Sequence, residues 1–290
     1  MSVAVELVAG GVAGAAGILA TQPLDTVRIR LQSSVKDLKI GRAYTGLYDC
    51  VMATLRAEGL RGLYKGVASP TLTVGGMNAI LFFSYEKATR ILRERSRLQD
   101  GQNLTLPQIG LAGAISGFAT AFVTAPTELV KCLAQVNVKS QGHMREEWII
   151  ARNLVRQHGF FGAHGPCRGL FVTMCRDTPS FGLYFMVYEA GTRHFGSSSL
   201  VSFAAGGTAG ALAWAVIYPI DMLKTRWQTA PHGRFTSLRD CVRSTIREEG
   251  RQVLFRGFGA TMARAWPQNG VIFCMYEFVK SLLAPGSPGS

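Results

Sequence analysis

An arginine–aspartate pair and a second arginine, set inside long apolar segments, are the residues of this sequence best suited to bind a solute. Arg176 is followed directly by Asp177, and Arg264 stands in a similar stretch near the end of the chain. Arginine presents a planar fork of N–H donors that fits a carboxylate, and aspartate can hold a cation. Together the three groups describe a site for a zwitterion, a molecule with one anionic and one cationic group.

The same residues also have a purely structural interpretation. A buried arginine needs a neutralising partner, so Asp177 could serve only to balance Arg176. Ionisable side chains inside apolar helices are costly, however, and are kept there mainly for function. We therefore expect Arg176, Asp177 and Arg264 to contact a substrate.

The chain is a triple repeat, which decides how its functional residues are positioned. A ten-residue stretch occurs as PLDTVRIRLQ, PTELVKCLAQ and PIDMLKTRWQ, beginning at residues 23, 126 and 219. We divide the chain into repeats over residues 1–99, 100–195 and 196–290. Each stretch carries an acid two residues after its proline, a base at five and a glutamine at nine: Asp25, Glu128 and Asp221; Arg28, Lys131 and Lys224; Gln32, Gln135 and Gln228.

This triple motif resembles the signature of the mitochondrial carrier family, P-x-[DE]-x-x-[KR] at the end of each odd-numbered transmembrane helix. The resemblance covers nearly the whole chain. It implies an all-α membrane protein with six transmembrane helices, built as three tandem two-helix repeats with pseudo-threefold symmetry. Short matrix helices would lie between the odd and even helices. It also implies solute transport by alternating access across the mitochondrial inner membrane.

Composition agrees with a membrane protein that encloses a polar cavity. Hydrophobic residues make up 48% of the chain, and the mean hydropathy is only +0.17, as expected where one face of each helix stays polar. The net charge of +13 fits an anionic membrane surface, and the repeated hydrophobic helices exclude a nucleic-acid binder. The sequence has no phosphate-loop or zinc-protease motif and no paired metal-ligand spacing, so we expect no enzyme activity, cofactor or metal.

The repeated acids and bases predict a plug of ion pairs at one end of the bundle. Acid and base lie three residues apart, on neighbouring positions of one helix face. Around a threefold pseudo-axis the acid of one repeat can therefore meet the base of another. The expected matrix gate pairs Asp25 with Lys131, Glu128 with Lys224 and Asp221 with Arg28, and it includes Gln32, Gln135 and Gln228.

The even-numbered helices carry tyrosine–acid pairs that resemble the cytosolic gate motif of the family, [FY]-[DE]-x-x-[KR]. Only the third copy is complete, because Thr89 and Thr192 stand where the first two need a base. We therefore expect a cytosolic plug that is weaker than the matrix plug. The predicted cytosolic gate comprises Tyr85, Glu86, Tyr188, Glu189, Tyr276, Glu277 and Lys280.

Repeat symmetry places the candidate binding residues at one depth of the membrane. Thr73, Arg176 and Arg264 each lie twelve residues before one of these tyrosines, so we expect them near the midplane, where transporters place substrates. The stretches RDTP and RAWP, which begin at the two arginines, resemble the carnitine/acylcarnitine and basic amino acid branch of the family. Carriers of basic amino acids would need an acid at the position of Met77 for the second cationic group. Met77 therefore favours carnitine or acylcarnitine, and we include it in the site.

Two alternative functions stay open. A basic amino acid carrier, for lysine, arginine or ornithine, is the alternative within the transporters. The alternative of another class is a protein with the carrier fold that no longer transports and acts as a scaffold or a proton leak. The irregular loop over residues 158–169 and the two incomplete cytosolic motifs leave room for it.

Two sets of glycines complete the pattern. Gly66, Gly169 and Gly257 follow a repeated base and open the even helices, where free N–H groups favour a phosphate. By resemblance these are cardiolipin sites, and the alternative is a plain helix cap. The second set predicts close helix contacts through glycines four residues apart: Gly10 and Gly14, Gly113 and Gly117, Gly206 and Gly210.

The expected partners are a small zwitterionic substrate and membrane lipid, and we expect a monomer.

Overall fold

A computed structural model describes residues 3–33, 46–97, 102–136, 144–160, 162, 165–196, 198–231 and 233–283. Every regular element within these ranges is a helix. The prediction of an all-α fold is therefore confirmed for the part of the chain that the structure describes.

Long and short helices alternate in the same order in each repeat. The long helices have 26 to 31 residues, which at about 1.5 Å per residue exceeds the ~30 Å hydrocarbon core of a membrane. They are α1 (Val3–Ser33), α3 (Ala68–Arg95), α4 (Leu106–Val136), α6 (Leu170–Phe195), α7 (Ser199–Thr229) and α9 (Phe258–Leu283). Between them lie α2 (Leu47–Leu63), α5 (Met144–His158), α8 (Leu238–Glu249) and a 3-10 helix, η1 (Arg251–Phe255).

The six long helices form a closed ring. Each packs against the next in the order α1, α3, α4, α6, α7 and α9, and α9 returns to α1. A single chain thus surrounds a central space, and the ends of the odd helices α1, α4 and α7 also meet one another across it.

Apolarity alone identifies only part of this ring as membrane-spanning. Among the described residues, Leu106–Val136 and Leu200–Thr229 are long and apolar enough to cross a membrane. A third span appears if α2 and α3, which are bent by 50° relative to each other, are counted together. Buried charged residues lower the apolar character of α1, which contains Asp25, Arg28 and Arg30, and of α6, which contains Arg176 and Asp177.

The odd helices continue beyond their prolines. Pro23, Pro126 and Pro219 each lie inside a helix, which runs on for about three further turns. This continuation carries the repeated acids, bases and glutamines on regular helix, so their spacing in the sequence becomes a fixed arrangement in space.

Close packing through paired glycines occurs in the middle repeat. A Cβ on Gly113 would lie 2.6 Å from the Phe181 carbonyl oxygen, and one on Gly117 would lie 2.5 Å from that of Asp177. In the first repeat the prediction holds only for Gly14, where a Cβ would lie 3.2 Å from Val74 Cγ2 of α3, and in the third repeat it is wrong. Gly10 and Gly210 would meet nothing within 4 Å. In the third repeat both glycines, Gly206 and Gly210, face the central cavity instead of a neighbouring backbone.

Candidate substrate site and matrix gate

The repeated acids and bases form three ion pairs, each between two different repeats. Lys131 Nζ lies 2.5 Å from Asp25 Oδ2, and Lys224 pairs with Glu128. The third pair is looser, with 3.9 Å between Arg28 Nη1 and Asp221 Oδ2. The pairs join α4 to α1, α7 to α4 and α1 to α7. They close a triangle across the ends of the odd helices, with the pairing that the sequence predicts.

The three glutamines of the motif do not share one role. Gln32 donates to Asp221 Oδ2 at 3.2 Å and to Tyr218 Oη at 3.1 Å, so it braces an acid of the triangle. Gln135 donates instead to Thr26 Oγ1, and Gln228 donates to the Arg168 carbonyl oxygen. Each glutamine thus connects two repeats, with Gln135 joining α4 to α1 and Gln228 joining α7 to the second repeat, but of the three Gln32 alone bonds to an acid of the triangle.

Arg176 bonds to three carboxylates at once. It reaches Asp177 Oδ1 through Nε at 2.7 Å and Asp221 Oδ1 through Nη1 at 3.0 Å. Its Nη2 lies 2.9 Å from Glu128 Oε2, and Nη1 also donates to Oε1 of that residue, so this contact is bidentate. Two of the three carboxylates, Glu128 and Asp221, belong to the triangle of ion pairs described above, which we call the matrix triangle.

Arg264 makes the corresponding contact on the other side of the bundle. It donates to Asp25, and its guanidinium lies 5.4 Å from the centre of the Trp214 ring. Arg28 lies 5.1 Å from the centre of the same ring. Both candidate binding arginines are thus bonded to acids of the triangle, a link that the sequence did not reveal.

A cavity of about 380 Å³ lies at these groups. Among its lining residues are Met77, Arg176, Asp177 and Arg264, as the sequence predicts, together with Trp214. Trp214 was not among the predicted site residues, although it lies in an apolar stretch five residues before Pro219. Aromatic faces attract cations, so Trp214 adds to the binding capacity of the site.

Thr73 does not line the cavity, and its assignment to the site is corrected. Its hydroxyl donates to the Ser69 carbonyl oxygen at 2.8 Å, one turn back in α3, and contacts Met77 Sδ at 3.6 Å. The hydroxyl is thereby satisfied within its own helix, as is common for helical threonines.

The family of the chain follows from comparison with known proteins. The family model for mitochondrial carrier proteins matches residues 1–96, 102–199 and 195–287. The chain belongs to the mitochondrial carrier family. Carriers of this family are multi-pass proteins of the mitochondrial inner membrane that transport solutes, which confirms the predicted fold class, membrane location and transport function.

Three relatives show the range of solutes named for similar carriers. The chain is 36% identical to the human mitochondrial carnitine/acylcarnitine carrier protein over 98% of its own length and 95% of that relative. It is also 36% identical to the mitochondrial arginine transporter BAC2 of Arabidopsis thaliana, over 98% and 93%. With the mitochondrial magnesium exporter 1 of Drosophila melanogaster it shares 34% identity over 96% and 94%.

The end of the bundle that carries the predicted cytosolic gate is arranged differently from the end that carries the three ion pairs. Glu189 bonds to Arg193 of its own helix at 2.8 Å, and Arg193 also donates to the Leu104 carbonyl oxygen. Tyr85 stacks on Phe185, with ring centres 4.0 Å apart. Among the described side chains here no ion pair joins two repeats. Of the other predicted gate residues, Tyr188 stacks on Tyr184 and Glu86 is exposed. The side chains of Tyr276, Glu277 and Lys280 lie outside the described part of the structure.

The glycines that follow the repeated loop bases allow a neighbouring odd helix to pack closely against the start of the even helix. Gly66, Gly169 and Gly257 have φ of +75°, +89° and +84°, a region that favours glycine. A Cβ on Gly66 would lie 2.7 Å from the Lys131 carbonyl oxygen, and one on Gly169 would lie 2.9 Å from Gln228 Cγ. These glycines therefore have a packing role that is independent of lipid.

The N-termini of the even helices differ from one another. At α3, after Gly66, the N–H groups of Ala68 and Ser69 donate to Glu147. The expectation of free donors is wrong there. At α6, a cavity of about 310 Å³ lies beside Arg168 and Gly169.

A second layer of ion pairs, buried in the first repeat and partly buried in the third, was not predicted from the sequence. Arg30 pairs with Glu58, and Lys65 pairs with the same carboxylate. In the third repeat Arg226 and Arg256 both pair with Glu249, at 2.5 Å and 3.3 Å. The second repeat has Leu133 and His158 at the places of the helix arginine and the glutamate. The signal was present in the sequence, because the arginine and the glutamate occur together in the first and third repeats and are replaced together in the second.

Proposed function

We propose that this carrier exchanges a zwitterionic metabolite across the mitochondrial inner membrane and that its substrate is carnitine or acylcarnitine. The observation that carries the proposal is the cavity in which Arg176, Arg264 and Asp177 lie together with Trp214. The similarity to carnitine/acylcarnitine carrier proteins supports the same substrate class.

The two arginines receive the substrate carboxylate. The ion-pair cluster contains the cations of the matrix triangle together with Arg176 and Arg264, against the triangle acids and Asp177. These described groups are five cations and four carboxylates, so the cluster has an excess of one positive charge. This excess favours binding of the substrate carboxylate, which an arginine fork can hold with two parallel hydrogen bonds.

Asp177 and Trp214 receive the quaternary ammonium group. Oδ2 of Asp177 is buried and has no hydrogen-bond partner among the described residues, so it retains capacity for a cation. The Trp214 ring faces Arg28 and Arg264, and cations near such a ring gain about 0.5–2 kcal/mol. A substrate ammonium can take this face when the arginines turn towards the carboxylate.

Apolar side chains provide room for an acyl chain. Met77, Phe181, Ala213 and Ile217 line the cavity beside the charged groups. Its volume of about 380 Å³ falls within the usual range for small-molecule sites. Met77 offers no carboxylate for a second cationic group.

Substrate binding opens the matrix gate by competition for the arginines. When the substrate carboxylate draws Arg176 away, Glu128 and Asp221 each lose a partner. When it draws Arg264 away, Asp25 loses one of its two cations. The free energy of binding thus offsets the cost of breaking the matrix ion pairs, and the carrier moves to a state that opens to the matrix.

A basic amino acid is the second candidate substrate. Glu128 lines the cavity and its side chain is 26% exposed, so it could receive a second cationic group in the absence of an acid at Met77. The similarity to an arginine transporter supports the same alternative.

Exchange in proteoliposomes distinguishes these substrates. Vesicles loaded with carnitine, an acylcarnitine, lysine or arginine are assayed for uptake of each labelled compound, with the wild type, Arg176→Ala and Thr73→Ala. We expect saturable carnitine exchange that is abolished by Arg176→Ala and retained in Thr73→Ala, since Thr73 lies outside the cavity. Exchange of lysine or arginine alone would overturn the carnitine assignment, and normal uptake by Arg176→Ala would overturn the site.

Lipid and assembly complete the proposal. We propose that cardiolipin binds at the N-terminus of α6, where Arg168 and Gly169 border an open cavity of about 310 Å³. We also propose that the carrier works as a monomer, because the ring of helices encloses the cavity within one chain.

A further inference from the structure

The N-terminus of α3 is occupied by a carboxylate of the protein itself. The N–H groups of Ala68 and Ser69 donate to the two oxygens of Glu147, at 3.1 Å and 2.7 Å. Glu147 is only 6% exposed and belongs to α5, so this contact crosses the boundary between the first and second repeats. A carboxylate in this position satisfies free amides and the positive end of the helix dipole.

The equivalent place at the next repeat boundary is open. Glu147 lies twelve residues before Gly159, and Leu238 lies twelve residues before Gly250, so the two residues correspond. Leu238 lines the cavity at the start of α6, beside Gly169. The same position of the fold therefore holds a carboxylate at the N-terminus of α3 and borders an open cavity at the N-terminus of α6. The difference follows from the residue type, glutamate at 147 and leucine at 238.

The attachment of α5 is unusual in a second respect. In the outer repeats an arginine of the odd helix pairs with a glutamate of the matrix helix, as Arg30 does with Glu58 and Arg226 with Glu249. Leu133 replaces this arginine in the second repeat and cannot form such a pair. Instead α5 packs against α3 as well as α4, whereas α8 packs against α7 and the 3-10 helix of its own repeat.

We propose that Glu147 is a built-in anionic ligand of α3. It stands in the place that an external phosphate group would take, and it tethers the matrix helix of the second repeat to the first repeat. A phosphate-bearing anion, whether a lipid headgroup or free phosphate, is consequently excluded from α3 and admitted at α6. This role of Glu147 is independent of which solute the carrier transports.

Reciprocal exchange of the two corresponding residues tests this role. Glu147→Leu gives the second repeat the residue of the third, Leu238→Glu does the reverse, and Glu147→Gln keeps the shape but removes the charge. Each full-length carrier is unfolded thermally in detergent alone, with cardiolipin, or with inorganic phosphate. Native mass spectrometry counts the cardiolipin molecules that each purified carrier retains.

We expect Glu147→Leu to lower Tm by about 5 °C, because charge-assisted hydrogen bonds to the amides of Ala68 and Ser69 are lost. It should retain one more cardiolipin than the wild type, and Leu238→Glu one fewer. Glu147→Gln should show a smaller fall in Tm. Recovery of Tm with cardiolipin alone identifies a lipid headgroup as the excluded anion, and recovery with inorganic phosphate alone identifies the free ion.

Three outcomes would overturn the proposal. The first is a Glu147→Leu carrier with the Tm and lipid count of the wild type. The second is a fall in Tm that neither anion reverses, because Glu147 would then be a tether at a place no anion can use. The third is a Leu238→Glu carrier that keeps every cardiolipin, a result that stands even where Glu147→Leu does not fold.

Discussion

The matrix and cytosolic ends of this carrier are built from the same threefold plan but are held in different ways. At the matrix end, three ion pairs connect the odd helices, and Arg176 and Arg264 add further bonds to the same acids. At the cytosolic end, Glu189 bonds within its own helix and Tyr85 stacks on Phe185. Ion pairs between repeats therefore close the matrix end. Among the described residues of the cytosolic end, the repeats are held together mainly by side-chain packing.

This difference shows how the carrier can favour one state without substrate. Each matrix acid bonds to more than one cation, so opening the matrix end breaks several charge-assisted bonds together. Thr89 and Thr192 deprive two repeats of a cytosolic base, so closing the cytosolic end gains fewer bonds. We therefore propose that the empty carrier rests open to the cytosol, and that a substrate that engages Arg176 and Arg264 reduces this imbalance.

The largest expected effect comes from removing a matrix acid. Asp25→Asn leaves Lys131 and Arg264 without their shared carboxylate, and breaking a buried pair in this way typically costs about 3–5 kcal/mol. We expect a loss of transport of more than about tenfold in proteoliposome exchange. Glu86→Gln, at the cytosolic end, is the matched control and should change the rate less than about twofold. Equal effects of the two variants would contradict the asymmetry between the ends.

Charge reversal sharpens the same comparison. Exchanging both partners, as in Asp25→Lys with Lys131→Asp, restores the pair but places Arg264 beside a lysine. We therefore expect the double variant to stay well below wild-type exchange, at less than about a tenth of the rate. Recovery to wild-type rates would show that Arg264 is not part of the matrix gate.

Completing the cytosolic motif should have a moderate effect. Thr89→Lys with Thr192→Lys supplies the two missing bases, and each new surface pair contributes up to about 1 kcal/mol. The closed cytosolic end becomes more stable relative to the resting state, so maximal exchange should change by about three- to tenfold while apparent substrate affinity shifts. Serine at both positions is the control for loss of threonine. Unchanged kinetics in the lysine variant would mean that the cytosolic motif does not form a plug.

Two groups of residues show which contacts of this carrier can be predicted from its sequence and which cannot. The matrix pairs could be predicted because offsets along a regular helix become fixed distances, and threefold repetition supplies the partner, as for Asp25 and Lys131. The all-α fold of three two-helix repeats was predicted from the resemblance of the repeated motif to the signature of the mitochondrial carrier family. The bonds from Arg176 to Glu128 and Asp221 could not be predicted, since they depend on how deep the cavity reaches between the helices.

Residues that break the repeat were the hardest to interpret. Thr73 has the right register but satisfies its hydroxyl within α3, because a neutral side chain has no need of the distant charges that draw in Arg176. Glu147 has no acidic counterpart in the other repeats, so periodicity gave no reason to single it out. Equivalent positions in the three repeats have similar backbone positions but can have different chemical roles. The role depends on the side chains that the fold brings into contact with each position.

The smallest expected effect concerns a thiol outside both gates. Burial raises the pKa of Cys241, in matrix helix α8, to about 11, whereas Cys274 in α9 is exposed. Because the thiolate is the reactive form, and because burial both disfavours it and shields the thiol from the reagent, Cys241 should be modified by a maleimide at pH 8 at least about tenfold more slowly than the exposed Cys274. Mass spectrometry of peptides after timed labelling of the detergent-solubilised carrier measures both rates, and Cys241→Ser identifies its peptide. Comparable rates at both cysteines would mean that α8 does not stay packed on α7 and that the matrix end is looser than its ion pairs indicate.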